Sequence, residues 1–144
     1  MDTAPSSTTA PTRRPGSLQE VAAWARAMGG IDGFLREFLD AFYLEQDPEA
    51  REGMSSREPL LSGDDRLDAY LAAVAEHLAM RNRLAVPAWT GEAARFLKRP
   101  FFPAGLESLK ATLLKESPTA FRRRMIFVGA DPLYRPRRDS PPHT

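Results

Sequence analysis

The stretch from Leu67 to Leu78 constrains this chain more than any other. Leu67, Tyr70, Leu71, Val74 and Leu78 recur at three- and four-residue spacing, the period of one face of an α-helix, and so predict a central amphipathic helix with that stripe turned to a core. Ser62 or Asp64 can cap its start. Val86-Pro87 ends it, because proline disfavours helical geometry in the residue before it. His77 falls beside the stripe and reads as a partly buried packing or hydrogen-bonding group, since a lone imidazole is not a metal site.

The rest of the chain supplies partners for that helix. Ser17-Leu18-Gln19-Glu20 is a capping box, in which the serine accepts from a backbone N–H three residues on and the glutamate reaches back. It starts a helix that stops near Gly29-Gly30. From Asp32 to Gln46, Phe34, Leu35, Phe38, Leu39 and Phe42 fall within an arc of roughly 140°, a second core-facing stripe. Asp47-Pro48 closes it, and residues 48–62 read as an irregular, acidic connection with at most one helical turn.

Thr90 can cap a short helix running to Leu97, with Lys98 and Arg99 at its C-terminal end, where they complement the helix dipole. Pro100-Phe101-Phe102-Pro103 is an extended aromatic pair, followed by a helix carrying Leu106, Leu109 and Leu113. Ser117-Pro118 starts the last helix, serine as cap and proline in the first turn. Ile126-Phe127-Val128 can extend as one β segment, but nothing evident pairs with it. The expected class is all-α: one compact domain of about six short helices over residues 17–131, with flexible tails at 1–16 and 132–144, which are rich in proline and small polar residues.

A length of 144 residues suits one core. No stretch approaches the roughly 18 apolar residues of a membrane helix, and residues 1–16 lack a secretory apolar segment, so a cytoplasmic protein with no membrane partner is expected. The absence of cysteine excludes disulfides, thiolate zinc sites and thiol nucleophiles. No activated nucleophile, phosphate-binding glycine loop or metal-ligand cluster is evident, and Asp64-Asp65 sits where a helix start explains it. A non-enzyme without cofactor or metal is therefore expected.

The net charge of +1 conceals a segregation. Residues 32–76 hold four arginines against twelve carboxylates, whereas residues 77–144 hold thirteen Lys or Arg against five. Either the two halves attract each other within one fold, or the basic half faces an acidic partner. Arg122-Arg123-Arg124 concentrates the question. If the last helix runs through Met125, Phe121 and Met125 share one face, Arg123 points away from it, and Arg122 and Arg124 flank the apolar seam. One or two of the three then pair with carboxylates of the acidic half, or the set meets phosphate or an acidic protein surface, both of which suit a planar guanidinium.

The runs LREFLDAFY, EPLLSGDDRLDAYLAAVAEHLAMRNRLAVPAWT and ARFLKRPFFPAGLESLKATLLKESPTAFRRRMIFVGAD, spread over most of residues 32–131, resemble a family of small actinobacterial proteins. Its members stand alone or behind helix-turn-helix modules, and look like antitoxin or regulator partners of nucleotidyltransferase-like toxins. The resemblance implies a non-catalytic protein that binds and neutralises such a partner, with Arg122, Arg123, Arg124, Lys98, Arg99, Trp89, Phe101 and Phe102 as the candidate contact residues. The alternative is a nucleic-acid-binding transcriptional regulator that uses the same basic C-terminal half, with DNA as its partner.

Overall fold

In the computed structural model, which describes residues 13–104 and 109–136, the strongest stripe of the sequence becomes the axis of the fold. The described elements are Leu18–Met28 (α1), Asp32–Leu44 (α2), Pro48–Ser56 (α3), Asp65–Arg81 (α4), two 3₁₀ turns at Ala88–Gly91 and Ala93–Arg95, Lys110–Glu116 (α5) and Thr119–Arg122 (α6). The class is all-α, as expected. Helix α4 packs on α6 and on both 3₁₀ turns, while α1 packs on α2 and α3. Among the described residues no helix is long and apolar enough to cross a membrane.

Helix α4 is enclosed on every side: Leu71 to Ala79 are all buried. Asp64 caps it by accepting from the N–H groups of Arg66 and Leu67. One face is the predicted stripe. The other is made of Ala72, Ala73, Ala75 and Ala79, whose small side chains let neighbouring elements come close. Leu71, Val74 and Leu78 share one core with Phe38 and Phe42 of α2, Leu18 and Val21 of α1, and Phe121 and Ile126. His77 is buried with its ring edge-on to Phe121 at 5.6 Å, a packing position.

The capping box forms with one change of partner: Ser17 accepts from the Glu20 N–H, but the Glu20 carboxylate receives the N–H of Gly16. Gly29 and Gly30 both have positive φ, which ends α1 where a side chain would be strained.

Several expectations are corrected. The Asp47-Pro48 pair opens a helix as well as closing one: Asp47 accepts from the Ala50 N–H at 3.2 Å and Pro48 occupies the first turn of α3. The helix expected to run from Thr90 to Leu97 is replaced by the two 3₁₀ turns. There the Thr90 hydroxyl donates back to the Pro87 carbonyl at 2.7 Å instead of capping. Ser117 does not cap α6. Its hydroxyl accepts from the Val128 N–H and has its one proton within reach of the Leu113 and Val128 carbonyls, tying the end of α5 to the segment after α6. The Ile126 segment does find a partner. Phe101 forms a single parallel bridge with it, through Phe101 N–H to Met125 O at 2.8 Å and Phe127 N–H to Phe101 O at 2.9 Å. Leu106 lies outside the described residues.

The fold also takes in parts of both expected tails. Arg13 pairs with Glu20 and stacks over Trp24 at 4.9 Å, and Arg14 pairs with Glu37. At the other end Leu133 is 2% exposed and its carbonyl accepts from the Tyr43 hydroxyl at 2.9 Å. Arg135 pairs with Asp40 through two hydrogen bonds.

Candidate functional site: a basic groove

The three consecutive arginines have three different fates. Arg122 is exposed and donates to the Ser117 carbonyl at 2.7 Å. Arg123 is half exposed, donates to Glu76 at 3.3 Å and lies over the Phe96 ring at 5.2 Å. Arg124 is fully buried. It donates to Glu76 at 2.5 Å and to the carbonyls of Ala120 and Thr90, with its guanidinium 4.5 Å from the Phe96 ring centre. Its Nε finds no acceptor. Burial lowers the Arg124 pKa, and the hydrogen bond and charge of Glu76 oppose that shift.

The expected flanking position of Arg124, and its availability to a partner, are therefore corrected. The error lies in helical geometry. Helix α6 stops at Arg122, and the chain tightens to three-residue bonding: Arg124 N–H to Phe121 O and Met125 N–H to Arg122 O. At that spacing residues i and i+3 eclipse, so Arg124 follows the buried Phe121 onto α4. Met125, at a φ of 65°, then turns the chain away.

Trp89 is likewise internal. It is 6% exposed, its indole N–H donates to the Ser55 carbonyl, and Arg95 covers its ring at 4.7 Å. As a partner contact it is corrected too. Phe101 and Phe102 are half-buried: Phe101 carries the bridge and lies under Arg66 at 4.8 Å, and Phe102 stacks on Phe127 at 5.2 Å with Lys110 5.0 Å from its ring centre.

Lys98 and Arg99 are exposed and make no hydrogen bond or ion pair with a described residue. The dipole explanation for them lapses, because the preceding 3₁₀ turn ends at Arg95. They border a groove of about 840 Å³ between the first turn of α4, the Leu61-Gly63 loop and residues 96–100. Asp65, Arg66, Phe96 and Leu97 also line it, and no lining side chain is an imidazole, hydroxyl or thiol. The structure thus brings Lys98 and Arg99 together with Arg66 and Phe96, two residues that sequence reasoning missed. Arg66 carries no local signal, being one charge at a helix start, and Phe96 looks like any core aromatic.

The groove wall is held at both ends. On one side Arg95, fully buried, donates to the carbonyls of Asp68 and Pro59 and pairs with Glu58 at 3.0 Å. That hydrogen bond is the main reason the Glu58 pKa lies low, while the neighbouring Glu58 carboxylate raises that of Glu92. On the other side the Phe101 bridge fixes the chain. Residues 96–100 are a short loop between two anchors, and its unpaired cations are presented without a large ordering cost. Such a surface is chemically suited to carboxylates or phosphates. Among the described residues no group of three or more His, Asp or Glu is placed to hold a metal ion. Comparison with protein-family models, curated proteins and solved structures finds no match to this chain.

Proposed function

We propose that this chain is a non-catalytic binding protein, an antitoxin or regulatory adaptor, whose basic groove receives the acidic surface of a partner protein. The observation that carries this reading is the contrast within the basic half. Arg95 and Arg124 are engaged internally, whereas Lys98 and Arg99 stand exposed and, among the described residues, unpartnered on an anchored loop. Phe96 and Phe101 add half-buried aromatic area beside them, the combination of charge and anchor that favours protein contacts. The family resemblance suggests the partner: a nucleotidyltransferase-like toxin, whose metal-binding carboxylates the groove cations would engage.

The test is co-purification with a nucleotidyltransferase-like protein encoded by an adjacent reading frame. A stable complex is expected, weakened by about 2 kcal/mol or more in the Lys98→Glu/Arg99→Glu double variant through lost interfacial pairs. The melting temperature should stay put, because neither residue supports the fold. An unchanged complex in the double variant overturns the assignment of the groove. DNA binding that weakens steeply with salt, in place of a protein complex, would favour the regulator reading.

A further inference from the structure

A second cleft lies between α2, α3, the end of α4 and the docked segment after Asp131. It measures about 480 Å³, within the range of small-molecule sites. Four arginines line it, and they divide into two kinds. Arg14 and Arg135 are neutralised by Glu37 and Asp40. Arg51 and Arg81 have no carboxylate partner among the described residues. Arg51 is held in place by neutral acceptors alone, the carbonyls of Phe42 and Tyr43 and the side-chain oxygen of Asn82 at 3.1 Å. Asn82 follows Arg81 in the chain, and both guanidiniums line the cleft. With Asp40 engaged, Asp131 is the acid left to oppose them, and the site keeps an excess of positive charge.

The lining also includes an exposed aromatic ring, that of Tyr134. Tyr134 is 67% exposed although the chain on either side of it is pinned, at Leu133 by the Tyr43 hydroxyl and at Arg135 by Asp40. The anchors fix the chain on either side of Tyr134 and leave its ring open for stacking. The position of Arg81 in the last turn of α4 accounts for a cation there, but not for Arg51 on another helix or for the exposed tyrosine between two anchored residues. We infer that this cleft binds a phosphate carried on a planar ring, the chemistry of a nucleoside monophosphate. The phosphate meets Arg51 and Arg81, where guanidinium geometry matches its oxygens, and the ring lies against Tyr134.

Calorimetric titration with AMP, CMP and inorganic phosphate tests the inference on the intact chain. At least one monophosphate should bind, about tenfold more tightly than inorganic phosphate. Arg81→Ala should weaken it about tenfold, with Arg81→Gln, which keeps much of the side-chain stem, as the second variant should the alanine form melt early. Tyr134→Ala should weaken it about fivefold and Tyr134→Phe should not. Absence of binding at about 10 mM monophosphate overturns the inference, as does unchanged affinity in both Arg81 variants. Equal affinity for inorganic phosphate overturns the ring half of it. The groove variants Lys98→Glu/Arg99→Glu should bind AMP and CMP normally, which separates this site from the protein-binding one.

Discussion

Glu76 carries one charge and faces two guanidiniums, and the two contacts differ in value because their surroundings differ. The Arg124 contact is buried on both sides, with Glu76 itself 6% exposed. Removing the carboxylate leaves an uncompensated cation in the core, which costs about 3–5 kcal/mol. Arg123 keeps half its surface in water, and losing such a pair costs under about 1 kcal/mol. Glu76→Ala should therefore lower stability in chemical denaturation by several kcal/mol, and Arg123→Ala should barely change it. Equal small effects from both would show that Arg124 does not depend on its partner. His77 gives a second prediction at this scale. Burial holds its pKa below the ordinary 6.5, Arg81 on its own helix lowers it further, and Asp131 on the docked segment opposes them. Because the unfolded imidazole binds a proton more readily, stability is complete above about pH 6.5 and declines as the pH falls below it. Melting temperatures between about pH 5 and pH 7.5 should show that decline in the parent chain and a flatter profile in His77→Gln.

At the scale of elements, the parts read well from sequence are those with a long period or a local cap. Helices α1, α2 and α4 are announced by Ser17, by the Phe34–Phe42 stripe and by the Leu67–Leu78 stripe, and all three form. What escaped detection depends mostly on contacts between distant residues; α3 is the exception, since its Asp47-Pro48 start is a local cap signature. The alanine face of α4 looks like a polar-side filler until other elements are packed on it. Helix α3 has only one buried side chain, Ser55, so no stripe betrays it. Ser117 joins residues eleven apart in sequence, and the bridge joins Phe101 to Ile126. The C-terminal boundary was misplaced for the same reason: Leu133 stands alone among proline and charge, yet fills a core site. Leu133→Ala should cost about 2–5 kcal/mol, the range for a buried leucine, and the loss should appear as a lower melting temperature. An unchanged melt would return residues 132–136 to the status of a tail.

Over the whole molecule, the segregated charge serves in part as a folding device. Arg95–Glu58, Arg123–Glu76, Arg124–Glu76 and Arg135–Asp40 each join the basic half to the acidic half. The candidate groove is built from what that pairing leaves over. Lys98 and Arg99 could be picked from the sequence because they stand side by side in it, but Arg66, from the start of α4, joins them only through the fold. Arg124 and Trp89 were misjudged because burial, unlike charge or aromaticity, is not a property of a residue type.

The single bridge between Phe101 and the Ile126 segment has a consequence in time. Two amides, those of Phe101 and Phe127, are bonded across one rung with no neighbouring rung to share its opening. They are protected by one event, so in deuterated solvent they should exchange at a common rate, slower than the exposed loop amides and faster than those in the middle of α4. The groove wall ends at that rung, so a bound partner should lengthen both lifetimes by the same factor. The pair would then act as an internal clock that reads occupancy without contacting the ligand, and two unrelated rates would show that the rung does not open as a unit.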